Sequence, residues 1–200
     1  HRPRWRVGVG WSVMVQPSCA VPSAESASRT CPVTLLGRHI VTTMAPARVE
    51  DNQRRGWIVP VGGAEDNEGN PVILRRFLEL CGGARARIAV LPTASRLADT
   101  GARYERIFTE LGAGAARSLE LKQREDTEHA EWLAWLQDAS GIFFTGGNQL
   151  RISTVLGGTD VARAIRTANA AGVSVGGTSA GAAILSEHMI AFGRSGSTPI

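Results

Sequence analysis

The sequence is short of lysine, of cysteine and of long apolar runs, and each shortage removes a class of explanation. Lys122 is the only lysine among 22 basic residues, a bias that reflects genome composition more than choice of ligand. Three cysteines, Cys19, Cys31 and Cys81, fit neither a metal-ligand spacing nor a disulfide framework. Cys81 closes an apolar helix pattern, so a buried, inert thiol is expected there. No run of eighteen apolar residues occurs, which argues against a membrane-spanning helix. No metal or cofactor motif is present: after residues 57–61 the loop reads Gly-Gly-Ala-Glu-Asp-Asn, not the G-x-G-x-x-G of a dinucleotide site.

The formal net charge of +4 would suit a nucleic-acid partner, but its distribution does not. Residues 1–55 hold eight arginines against Glu25, Glu50 and Asp51, whereas the rest of the chain is close to neutral, with fourteen basic and fifteen acidic side chains. Neither nucleic acid nor membrane is therefore expected as a partner. The location reads as cytoplasmic, with secretion left open. Arg2 to Arg6, the stretch Val7–Val15 and a processing site at Ser23-Ala24 resemble a leader only faintly, because the apolar part is short and broken by glycine. Residues 1–55 read better as an irregular, disordered extension, or as sequence upstream of a start such as Met44. Residues 56–200 read as one folded domain.

From Gly56 onward, short β-rich runs alternate with amphipathic helices. Strands are expected at Trp57–Val61, Ile88–Leu91, Ser118–Leu121, Ile142–Thr145 and Val173–Val175. The first helix is expected from an Asn70 cap, with Pro71 in its first turn, to a stop at Gly82. Others are expected at Ala102–Leu111, around Trp132–Leu136, at Leu150–Leu156, at Val161–Ala171 behind a Thr159 or Asp160 cap, and at Ala180–Met189. Strand-then-helix alternation implies parallel strands joined by right-handed crossovers, giving a three-layer α/β domain with helices on both faces of the sheet. Ligands in such sheets bind beyond the carboxyl ends of the strands. Three predicted strands end there in Gly62-Gly63, Gly146-Gly147 and Gly176-Gly177, where backbone amides are able to approach a ligand closely.

The chemistry centres on Ser179. Gly177-Thr178-Ser179-Ala180-Gly181 fits the nucleophile-elbow pattern G-x-S-x-G, with a predicted strand before it and a helix after it. The pattern alone is weak in a chain with 23 glycines; the strand and helix around it give it weight. A serine there is held in a strained turn with its hydroxyl above the sheet, and small neighbours let strand and helix pass. The following helix N-terminus favours a developing oxyanion. The Ala180 amide is one candidate oxyanion donor and Gly146 or Gly147 the second, although a plain tight turn accounts equally well for those two glycines.

The blocks from Phe143 to Arg151, reading F-F-T-G-G-N-Q-L-R, and from Gly177 to Ala183, reading G-T-S-A-G-A-A, resemble the cyanophycinases. Val59 to Asp66 and Leu91 to Ser95 match further blocks of that family in the same order, so the resemblance covers residues 56–200. It implies a class I glutamine-amidotransferase-like, flavodoxin-like fold and a serine-type exopeptidase without cofactor or metal. The implied substrate is cyanophycin, a polyaspartate backbone with arginine on each side-chain carboxyl, and the product β-aspartyl-arginine dipeptides. Ser179 corresponds to the nucleophile and Gln149 to a glutamine contacting substrate. Glu65 and Asp66 match the first loop without an assigned role, and a homodimer fits the family. An aspartyl dipeptidase of the same superfamily, acting on short Asp-X peptides, and a non-catalytic relative keeping the fold are the rival readings.

A serine hydroxyl needs a base to accept its proton, and four histidines are available. His1 and His39 fall in the irregular extension, and His129 opens a helix at an exposed position. His188 is nine residues beyond Ser179 on the same predicted helix, about 13 Å along its axis. The family places its histidine further downstream and its acid between, where Arg194, Ser195 and Gly196 stand here. The expectation is a peptidase domain truncated on its C-terminal side, or an inactive relative, with little turnover on its own.

Overall fold

The computed structural model describes residues 47–65, 67 and 69–190. Cys19, Cys31, His1, His39, the leader-like stretch, Met44, Asp66 and Arg194-Ser195-Gly196 lie outside the described residues. The elements run β1 (Ile58–Val61), α1 (Val72–Leu80), β2 (Arg87–Leu91), α2 (Thr100–Glu110), β3 (Ala115–Ser118), α3 (Ala130–Asp138), β4 (Gly141–Phe144), α4 (Gln149–Leu156), α5 (Asp160–Ala170), β5 (Ser174–Thr178) and α6 (Ala180–Ile184). The five strands form one wholly parallel sheet in the order β1-β5-β4-β2-β3. Among the described residues no helix is long and apolar enough to cross a membrane.

Alternation along the strands divides the core into two layers. Ile88, Val90 and Phe143 face α1 and α2, where Leu74, Phe77, Tyr104, Ile107 and Phe108 complete an aromatic-rich cluster. Ala89, Leu91, Ile142, Phe144 and Val175 face the opposite way, under Leu136, Ile152, Leu156, Ile165 and Ile184 of the remaining helices. On the first side the Phe143 ring lies 5.3 Å from Phe77 and 5.4 Å from both Tyr104 and Phe108, as ring centroids. Helices on both faces of a parallel sheet are the expected three-layer architecture.

The elements differ from expectation at four points, each for a physical reason. β3 lies three residues earlier than predicted: as an edge strand it is only half-buried along its length and shows no alternation to read. β5 runs through Gly176 and Gly177 to Thr178, so this glycine pair is strand rather than turn. A Cβ on Gly176 would stand 2.8 Å from the Phe77 ring, and one on Gly177 2.5 Å from the Gly181 backbone. These glycines serve close packing. α6 ends at Ile184 rather than Met189, because Leu185 and Ser186 bond three residues back and Ser186 Oγ accepts no helix role, donating instead to Ala183 O or His188 O. Asn70 gives α1 no side-chain cap; Pro71 takes that position. The Thr159 cap is present, its Oγ1 accepting from the Ala162 amide at 3.3 Å.

Residues 47–57 contain no helix or strand, yet they are tied to the domain. Buried Asn169 accepts from Arg55 at 3.1 Å and donates to Gly56 O and Val173 O at 3.1 and 3.0 Å. That side chain sets where the chain enters β1.

Candidate active site

Ser179 stands at the carboxyl end of β5 with φ 53° and ψ −111°, a backbone conformation that L-residues rarely adopt. Its neighbours Thr178 and Ala180 are buried while Ser179 itself is exposed, so the turn lifts one hydroxyl out of a packed layer. The strain is held from several sides. The Ser179 amide donates to Val61 O at 2.9 Å, and its carbonyl accepts from the Ala183 amide at 3.0 Å. Gly63 (φ 99°) passes so close that a Cβ there would lie 3.3 Å from Ser179 Cβ. Gly181 lets α6 start directly against the Phe144 backbone.

Ser179 opens onto a cleft of about 680 Å³ at the carboxyl end of the sheet. Its walls come from the loop after β1 (Gly63–Glu65, Asn67), the loop after β2 (Ala94–Leu97), the first turn of α2 and the turn Gly146–Asn148 after β4. The sequence places three of these: the glycine turns after β1 and β4, and the elbow. It misses the loop after β2, which carries no glycine pair, and the α2 face, where Tyr104 reads only as a core residue. The rule that sites form at strand carboxyl ends would have included Thr93 to Arg96.

One carboxylate ties three of these walls together. Glu65 Oε1 accepts from the Tyr104 hydroxyl and Oε2 from Thr178 Oγ1, each at 2.5 Å. Thr178 immediately precedes Ser179, so Glu65 clamps the elbow to the loop after β1 and to α2. Burial first, and then the Glu65 hydrogen bond and charge, push the Tyr104 phenol up from its ordinary value, which keeps it a donor. The preceding residue, Ala64, has φ 53°, the only other described non-glycine residue with positive φ besides Ser179.

The backbones of Gly146 and Gly147 both line the cleft and pack against different neighbours. A Cβ on Gly146 would stand 3.5 Å from Ser179 Cβ, so this backbone borders the hydroxyl. Gly147 (φ 141°) faces the loop after β2, and a Cβ there would collide with Ala94 O. That contact explains its glycine: Ala94 O also accepts from the Asn148 amide at 2.9 Å, bracing the turn. The candidate oxyanion amides of Ala180 and Gly146 have no backbone partner among the described residues. Gly63, at similar range, is a neighbour that the sequence reading did not assign to this role.

Gln149 is not among the cleft-lining residues; its Nε2 donates to Ile190 O at 3.0 Å. His129 and His188 are both exposed, and neither lines the cleft. His129 packs edge-on to Trp132 at 6.5 Å. Because α6 stops at Ile184, His188 lies on the irregular segment after it rather than on a helix shared with Ser179.

Comparison with known proteins shows the family and the fold. Residues 58–199 match the family described as peptidase family S51. The chain is 44% identical over 144 residues to the cyanophycinase of Trichormus variabilis, covering 71% of this chain and 48% of that one. It is 41% identical over 147 residues to the cyanophycinase of Geminocystis herdmanii, covering 72% and 54%. The chain thus spans about half the length of the curated relatives it matches. The crystal structure of a peptidase from an acI-B1 Actinobacterium superposes with a TM-score of 0.57 at 24% identity, over 68% of this chain and 58% of that one, and has the same fold. A strained serine between β5 and α6, at the mouth of a cleft built by glycine turns, is here the property of a chain that belongs to peptidase family S51.

Proposed function

We propose that this chain carries the nucleophile and substrate cleft of a serine-type exopeptidase that hydrolyses cyanophycin to β-Asp-Arg dipeptides. The observation that carries the reading is Ser179: exposed, at φ 53°, on the rim of the cleft, in a chain 41–44% identical to cyanophycinases. Release of β-Asp-Arg requires cleavage of the backbone amide between successive aspartates. Ser179 Oγ attacks that carbonyl and its proton passes to a base. The carbonyl oxygen becomes an oxyanion that the Ala180 and Gly146 amides receive, with Gly63 bordering the same space. The amide nitrogen leaves as an amine carrying a proton, and water then hydrolyses the acyl-serine. Gly147 shapes the turn. Gln149 contacts substrate once its amide exchanges Ile190 O for the ligand. No described histidine lines the cleft, so the base comes from outside the described residues.

The test is release of β-Asp-Arg from cyanophycin by the full-length protein and its Ser179→Ala form, with folding checked by circular dichroism. The expected outcome is loss of product in a folded variant. Undiminished release by Ser179→Ala would end the nucleophile assignment, and cleavage of short Asp-X peptides but not the polymer would move the protein to the aspartyl dipeptidases.

A further inference from the structure

Among its described lining residues, the cleft beside Ser179 holds two arginines and one carboxylate. Arg96 and Arg103 both line it, and Glu65 is the only acidic side chain among its described lining residues. Glu65 is already engaged, one oxygen on Tyr104 and the other on Thr178. Neither guanidinium has a hydrogen bond or ion pair with a described residue, and the Nε–H of Arg103 is buried without an acceptor. An unpaired buried guanidinium nitrogen is costly unless something meets it.

The geometry around Arg103 is fixed rather than floppy. Thr100, Arg103 and Tyr104 share the cleft side of α2 at the i, i+3 and i+4 spacing. The Arg103 guanidinium stacks over the Tyr104 ring at 5.7 Å, and that ring is held in the aromatic core by Phe143 and at its hydroxyl by Glu65. Across the cleft, Ser95 Oγ and Thr100 Oγ1 lie 2.7 Å apart, which docks the loop carrying Arg96 onto the same helix turn. Two guanidiniums lining one concavity favour an anionic ligand there. Guanidinium matches carboxylate in shape, two N–H groups to two oxygens.

We infer that Arg103, with Arg96 beside it, forms a carboxylate-reading subsite next to Ser179, and that its ligand is the free carboxylate of the arginine branch of the substrate. The inference rests on the cyanophycin reading for the identity of that branch. In the polymer each backbone carboxyl is in amide linkage and each aspartate side chain is acylated onto arginine, so the arginine carboxylate is the anion the polymer presents at every unit. A carboxylate lying against the Arg103 guanidinium supplies the counter-charge that Glu65, engaged by Tyr104 and Thr178, does not. It also fixes the branch relative to the backbone carbonyl that Ser179 attacks. Arg103 is thereby a specificity-determining residue, separating acid-bearing branches from neutral ones.

Calorimetry on the full-length Ser179→Ala protein reads binding without turnover. The probes are β-Asp-Arg and its analogue amidated at the arginine carboxyl. The acid is expected to bind at least about 30-fold more tightly than the amide, the loss typical of an unpaired buried charge partner. Arg103→Met should erase that ratio while leaving amide affinity unchanged, and Arg103→Lys should restore part of it; Arg96→Ala should reduce it less. Equal binding of acid and amide, an unchanged ratio in Arg103→Met, or no binding of either probe overturns the subsite. The two readings fail separately. An Arg103-dependent ratio in a protein that does not cleave cyanophycin removes the activity and keeps the subsite. Cleavage without acid preference removes the subsite and keeps the activity.

Discussion

Ser179 and Cys81 stand at opposite ends of one sheet, and the weaker intrinsic nucleophile is the one built for reaction. Cys81 follows α1 and packs at the amino ends of β4 and β5, where a Cβ on Gly141 would strike its sulfur and the Ser174 hydroxyl donates to Leu80 O at 3.3 Å. It is 5% exposed, and burial pushes its pKa from 9.0 to about 12, so it stays a thiol at any physiological pH. Ser179 sits at the carboxyl end of β5, exposed, with amides at hand and a cleft in front of it. Position in the sheet outweighs the chemistry of the atom. Amino ends of parallel strands face packed helix termini, while carboxyl ends open into loops able to hold a substrate.

The comparison breaks or sharpens through five measurements. Ser179→Ala should lower the kcat for β-Asp-Arg release by at least about 10⁴-fold with an unchanged melting temperature. Gly177→Ala comes next, because its Cβ meets Gly181 backbone that has nowhere to move. A loss of about 1–3 kcal/mol in denaturant stability and of about 10²-fold in kcat is expected. Wild-type behaviour would show that strand–helix contact at the elbow is not limiting. Glu65→Gln should reduce kcat by about ten-fold with KM nearly constant, because one of its two hydroxyl partners loses its acceptor. A change in KM alone would make Glu65 a binding group instead.

Cys81→Ala should leave kcat within two-fold and change the response of stability to alkali. The folded thiol pKa lies above its unfolded value, so the stability linked to this group is fully present below about pH 9 and is lost as pH rises toward about 12. That loss approaches roughly 1.4 kcal/mol per pH unit, and Cys81→Ala should lack it in urea titrations at pH 8 and 10.5. Tyr104 titrates in the same direction and sets the slope that remains. The smallest effect is expected from His129→Ala and His188→Ala, each within about two-fold of wild type in product release. A larger loss for His188 would place it at the serine in the working enzyme, contrary to its exposed position here.

Much of the layered fold was legible because its signals are local. The continuous apolar runs of β2 and β4, the Thr159 cap and the spacing of Tyr104, Ile107 and Phe108 depend on residues within a few positions of each other. Where the local signal is weak the reading slipped, as at the half-buried edge strand β3. The Gly176-Gly177 pair was misread as a turn because a sequence shows that glycine is required and not which neighbour requires it. The Phe77 ring and the Gly181 backbone are the neighbours.

By itself the sequence determined the parallel α/β architecture, the buried thiol and the place of Ser179 between a strand and a helix, since these follow from periodicity and turn chemistry along the chain. Only the tertiary structure decided what surrounds that serine. Glu65 reaches Thr178 across 113 positions of sequence, Gly63 backs onto Ser179, Gly147 packs against Ala94 at the cleft wall, and Arg103 projects from a helix that reads simply as amphipathic. Such contacts join distant segments through the order of strands in the sheet, and no local pattern encodes that order.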